Sequence, residues 1–298
     1  MTLQRVGLAR LAMAMALVAA VGRVPAAHAQ AADPRLVEAH KLYNSTDFEQ
    51  SLKVLQAILP RTGPVYLLMG RNYYMEADYK RATDAIEKAL AMEPANAEYA
   101  LWLGRAWGRR AETSSPFTAP VYASRARQYF EKSVQLNPTN LEAQSDLFEY
   151  YLEAPGFLGG GLDRAESTAA NMGQISPAEG QWAEAKLAEK RKESRSAEAH
   201  LRMAVQLAPQ QVGKIIELAR FLTKQGRYQE ADQSFERAEM VAPNSPRVVF
   251  ARASIYIEAH HNMDVAKQLL KRYMSMDLQP DDPPKSEAAK LLRQAQGG

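Results

Sequence analysis

Residues 64–94 read PVYLLMGRNYYMEADYKRATDAIEKALAMEP, and the spacing within this stretch decides the fold. Tyr66, Met69, Gly70 and Tyr73 fall at i, i+3, i+4 and i+7, the apolar stripe of one helix. Tyr79, Ala82, Ala85, Ile86 and Ala89 form a second stripe, and MEADY between them is a polar turn. Pro94 closes the unit because it cannot continue a helix. Small residues at Gly70, Ala82 and Ala89 let the two helices approach closely.

The same unit returns along the chain. An alanine precedes a proline by the same offset in Ala82/Pro94, Ala126/Pro138, Ala165/Pro177, Ala197/Pro209 and Ala231/Pro243. Pro60 opens the series, and the period is close to 34 residues except where two insertions lengthen it. Such a repeat is one supersecondary element, stacked on its neighbours instead of folded into a single globule.

On these residues the chain resembles the tetratricopeptide repeat family. Gly70, Tyr73, Tyr79, Ala82, Ala89 and Pro94 match its pattern in one unit. Leu218, Ala219, Gly226, Tyr228, Ala231, Phe235, Ala238 and Pro243 match in another. A third, interrupted unit offers Leu103, Gly104, Trp107, Ala126, Phe130 and Pro138, with weaker units over 141–177, 178–209 and 245–280. A degenerate first unit holds Ala39, Tyr43, Phe48 and Leu55. The resemblance implies an all-α, right-handed superhelical solenoid of about seven antiparallel hairpins over 30–280. A linker and capping helix follow over 281–298, with Ala288, Leu291 and Leu292 on one side. It implies no particular activity, since this architecture hosts unrelated ones.

Residues 1–29 read as a cleavable signal peptide. Arg5 and Arg10 precede the short apolar run LAMAMALVAAV, and Ala27-His28-Ala29 is an A-x-A cleavage site before Gln30. The expected location is the periplasm, with secretion as the alternative. There is no cysteine, so a lipid anchor on a thiol, disulfides, zinc-thiolate sites and thiol catalysis are all excluded. The formal charge of +3 comes from Arg5, Arg10 and Arg23, so the remainder is neutral and gives no support for nucleic-acid binding. After residue 30 no stretch is long and apolar enough to span a membrane.

The first insertion, RRAETSSPFTAPVYAS at 109–124, contains Ser114, Ser115, Pro116 and Pro120, which forbid a continuous helix. Its Phe117, Val121 and Tyr122 suit either local packing or a flap over the groove. The second, EAPGFLGGGLDRA at 153–165, is expected to be a shaped turn, with Pro155, Phe157 and Leu158 packed between helices. In it Gly159, Gly160 and Gly161 allow positive φ before a helix that opens near Asp163. It lacks the lysine and hydroxyl of a nucleotide-binding loop.

The resemblance places the first helix of each hairpin on the concave side, where extended peptides are held. It points Trp102, Arg105 and Arg109 toward that groove, beside Arg71 and Tyr74, with Arg220, Thr223 and Lys224 at equivalent places farther along. The expected patch suits an acidic segment or a chain-terminal carboxylate, because arginines beside aromatics pair with carboxylates and stack on planar groups. The lysine and asparagine positions of the family's two-carboxylate clamp are not reproduced.

No nucleophile, base and orienter are assembled, no metal-ligand spacing is present, and no cofactor is expected. His260-His261 lies in a turn with a solvated or capping role, and the charged run 181–202 reads as a solvated face. The function expected is a non-catalytic adaptor for a protein or peptide partner in an envelope complex. A small-solute binder serving a transporter is the alternative. It requires a closed apolar pocket near Trp102, Phe117 and Phe157. Oligomeric state is not legible.

Overall fold

The computed structural model describes residues 33–297, so the signal-peptide expectation lies outside the described residues. Those residues form one compact unit with helices and no strands. Seven hairpins follow one another. They are α1 (Pro34–Asn44) with α2 (Phe48–Gln56), α3 (Gly63–Met75) with α4 (Tyr79–Met92), and α5 (Ala97–Thr113) with α6 (Ala119–Leu136). Next come α7 (Leu141–Glu153) with α8 (Leu162–Ile175), α9 (Pro177–Lys190) with α10 (Ser194–Leu207), and α11 (Val212–Lys224) with α12 (Tyr228–Val241). The last hairpin is α13 (Pro246–Glu258) with α14 (Met263–Met274), and α15 (Lys285–Gly297) ends the unit.

Side-chain caps set several helix starts. Asp47 and Asp78 accept hydrogen bonds from the backbone N–H groups of Gln50 and Arg81. Asn96 and Asn140 do the same at α5 and α7, satisfying donors that a helix terminus leaves free. The turn inside a hairpin repeats one left-handed residue: Thr46, Ala77, Lys192, Gly226 and His260 all have positive φ. Pro177 is an exception to the closing role expected of the prolines, since it stands at the first position of α9, where its missing N–H costs nothing.

The alanines that define the period are the places where helices cross. Ala82, Ala126, Ala165, Ala197 and Ala231 are all essentially inaccessible, and so is Ala266 in the last hairpin. Tyr43, Phe148, Phe235 and Tyr256 fill the space between successive hairpins. At the end, α15 buries Ala288 in a small cluster with Val249, Phe250, Leu270 and Tyr273, covering the last hairpin.

The first insertion breaks the helix as expected, but only over a short turn. It lengthens both helices, to 17 residues in α5 and 18 in α6, and leaves only residues 114–118 as a turn. Pro120 lies in the first turn of α6, where a proline is tolerated. Tyr122 packs on Trp107 with ring centroids 5.2 Å apart, and Arg110 lies over both rings. The second insertion makes a short 3-10 turn at Gly156–Leu158 before α8. Here Phe157 is 82% exposed and Pro155 is exposed too, contrary to the packing expected of both, while Tyr150 donates from its hydroxyl to the carbonyl of the half-buried Leu158. Gly159 has φ +86°, and a Cβ on Gly160 would lie 1.8 Å from the Ala154 carbonyl oxygen.

His261 also departs from expectation. Its ring stacks flat on Tyr228 at 3.9 Å and meets Tyr256 edge-on, so it packs between hairpins.

Candidate partner-binding groove

The first helices face one groove, and two cavities lie along it. The larger, about 940 Å³, is walled by residues of α7, α9, α11 and α13, with Trp182, Lys214 and Arg247 among them. The smaller, about 570 Å³, lies between α5, α6, α7 and the turn at 155–158. Glu149 of α7 borders both.

From α3 onward, ion pairs cross from each first helix to the next. Arg71 of α3 stands 4.0 Å from Glu98 of α5. Arg105 of α5 reaches Asp146 of α7 at 2.5 Å and Glu142 at 3.3 Å. Lys190 of α9 pairs with Glu153 of α7 at 2.8 Å. Between α9 and α11 there are three pairs: Lys186–Glu217, Lys214–Glu179 and Lys224–Glu189. Arg220 of α11 lies 3.5 Å from Glu258 of α13. Each contact joins residues about one repeat apart, so the groove wall is stitched by the chain's own charges.

Five of the expected groove residues come together. Arg71 lies over the rings of Tyr43 and Trp102, at 4.9 and 4.6 Å, and Arg105 lies over Trp102 at 5.1 Å. Tyr74 meets Trp102 and Tyr79 edge-on, and Arg109 donates to the Tyr79 hydroxyl while pairing with Glu112. Trp102 is only 8% exposed, so it forms the wall beneath the arginines and presents little surface to a ligand. Arg220 and Lys224 belong to the other end of the groove. Phe117 and Phe157 stand out on their turns, and Pro155 borders the smaller cavity.

Burial controls the groove's ionisation. It pushes the Asp146 carboxyl above the usual range despite Arg105 beside it. Glu149 is pushed up by desolvation and then by the neighbouring Asp146 charge. Burial works against Glu217 too, but Lys186 at 2.5 Å outweighs it and holds that carboxyl low. The Lys214 ammonium is pushed down by burial, though it pairs with Glu179 and sits 4.7 Å from the Trp182 ring centroid.

Trp182, Glu179, Lys186, Lys214, Glu217 and Arg247 were not singled out as binding residues from sequence. The signal available was register. Trp182 sits three residues before the small Ala185, as Leu67 and Leu101 do before Gly70 and Gly104. The run 181–202 therefore faces the groove at its start, where a solvated face was expected.

The tetratricopeptide repeat family model matches residues 216–245. No curated protein matches the chain in sequence. A tetratricopeptide repeat protein of Parabacteroides merdae is similar in structure, with TM-score 0.58 and 14% identity, over 88% of this chain and 98% of that one. A thermophilic TPR protein of Thermus thermophilus has TM-score 0.51 and 17% identity, over 63% of this chain and 97% of that one. Human IFIT1, in a dimer with PPP-AAAA, has TM-score 0.54 and 16% identity, over 80% of this chain and 54% of that one. Residues 216–245 are thus a tetratricopeptide repeat by sequence, and the fold is the helical-hairpin solenoid of tetratricopeptide repeat proteins. No helix among the described residues is long and apolar enough to cross a membrane.

Proposed function

We propose that the chain is an exported, non-catalytic scaffold whose groove holds an extended segment of a protein partner. The observation that carries this reading is the pair of open cavities meeting at Glu149, since a repeat fold binds through its extended concave face. The arginines expected to receive an acidic segment are already paired within the chain, so an acidic partner is not carried into the proposal. The solute-binder alternative needs Trp102, Phe117 and Phe157 around one closed pocket. Trp102 is instead buried in the wall, while Phe117 and Phe157 are 93% and 82% exposed.

Mild crosslinking of the tagged chain in its own cells, followed by purification, tests the scaffold. Ser145→Trp and Ser254→Trp, both bordering the larger cavity, should release a partner that the wild type captures. Capture of nothing by the wild type would overturn the reading. Export is tested by fractionation and N-terminal sequencing. A periplasmic chain beginning at Gln30 is expected, and a cytoplasmic chain retaining residues 1–29 would refute it.

A further inference from the structure

The residue after each packed position forms a row along the groove: His40, Arg71, Arg105, Glu149, Lys186, Arg220 and Ser254. Its four cationic Arg and Lys members are paired, with Glu98, Asp146, Glu217 and Glu258 in turn. Glu149 interrupts the row with the opposite charge and has no ion pair or hydrogen bond among the described residues. The cation that acts on it, Lys186, is committed to Glu217 and Glu189.

The smaller cavity beside Glu149 is framed by both insertions. Ala111 and Ala123 come from the lengthened helices of the first, and Pro155 and Leu158 from the turn of the second. Two segments that break the repeat period in sequence therefore build one site. Gly108, Ala126 and Phe130 line its apolar part, and two arginines face four carboxylates around it. Both arginines already have acidic partners, so the charge left over is negative.

We propose that this cavity anchors the partner: it takes an apolar side chain of the bound segment, while a neighbouring lysine or arginine of that segment pairs with Glu149. An apolar cavity gains from filling by apolar surface. A solvent-facing carboxylate that has no cation of its own gains a charge-assisted bond from an incoming one, whereas an acidic segment would meet repulsion. This inference rests on the scaffold reading and names the chemistry of its partner.

Gly108 provides a clean block. A Cβ there would meet only the Ala126 Cβ, at 4.0 Å, so a leucine is accommodated on the helix and extends into the cavity. Random dodecapeptides displayed on phage would be selected against the purified chain, and the best titrated calorimetrically into variants whose thermal melts match the wild type. Enriched peptides should carry lysine or arginine beside a large apolar residue. Glu149→Gln should weaken the best of them about tenfold, Gly108→Leu should abolish its binding, and the distant, exposed Glu236→Gln should change nothing.

Enrichment of acidic peptides, or of none, would overturn the anchor. So would affinities that ignore both Glu149→Gln and Gly108→Leu. If those two variants still capture the cellular partner, the anchor falls and the scaffold stands. If the wild type captures no partner, the scaffold itself falls.

Discussion

Arg105 on α5 and Asp146 on α7 meet at 2.5 Å with three quarters of each side chain removed from solvent, tying two hairpins together across the groove. Removing one member of such a pair leaves the other desolvated and uncompensated. Arg105→Ala should lower stability by about 2 kcal/mol, measured by urea unfolding. The double variant Arg105→Met/Asp146→Leu should cost less than Arg105→Ala alone. Strictly additive costs would show that the pair does not act as one. Reversal of Arg105 to glutamate is a poor probe of binding, because it sets a third acid beside Glu142 and Asp146.

The backbones of α8 and α9 approach closely at Gly173 and Gly180. A Cβ on Gly180 would lie 2.4 Å from the Gly173 Cα, which is backbone and cannot swing aside. Gly180→Ala should therefore destabilise by about 1–3 kcal/mol, although alanine is the better helix former. Thermal melting decides it, and an unchanged or raised midpoint would mean the helices separate freely.

Ala77 holds the left-handed position of its hairpin turn, with φ 59°, where the equivalent residue in the sixth hairpin is Gly226. Ala77→Gly relieves the contact between Cβ and carbonyl oxygen that this conformation forces, at the expense of a freer unfolded chain. A net gain of about 0.5 kcal/mol is expected. A loss in chemical denaturation would show that the turn tolerates the side chain without strain.

Glu217 links stability to pH. Its folded carboxyl titrates below its ordinary value of 4.5, so its contribution is whole above that pH and is lost as pH falls through the lowered folded value. Asp146 and Glu149 are raised, and their protonation on acidification works in the opposite sense. Glu217→Gln should be less stable than wild type by about 1–2 kcal/mol at pH 7, with the gap closing toward pH 3. A gap that stays constant with pH would place the loss in packing instead of charge.

The hairpins were legible because their signals are local. The stripe Tyr66, Met69, Gly70, Tyr73 and the alanine-to-proline offset lie within one repeat, where helical periodicity is direct evidence of the buried face. Trp102 shows where that evidence thins. Position pointed it at the groove, but two arginines lie against its ring and remove it from solvent. Phe157 was misplaced for a related reason, since an apolar residue in an irregular turn carries no period from which to read its direction.

The amino-acid order by itself determined that this chain is a stack of helical hairpins, because each helix's apolar face and each turn are written within a few dozen consecutive residues. It also determined where the period breaks. Tertiary structure alone decided what those breaks build and which charges remain free. Arg105 finds Asp146 across 41 positions and Lys186 finds Glu217 across 31, distances set by how successive hairpins pack. The same packing brings both insertions to one cavity and leaves Glu149 without a cation, because a charge is spent or spare only once its neighbours in space are known.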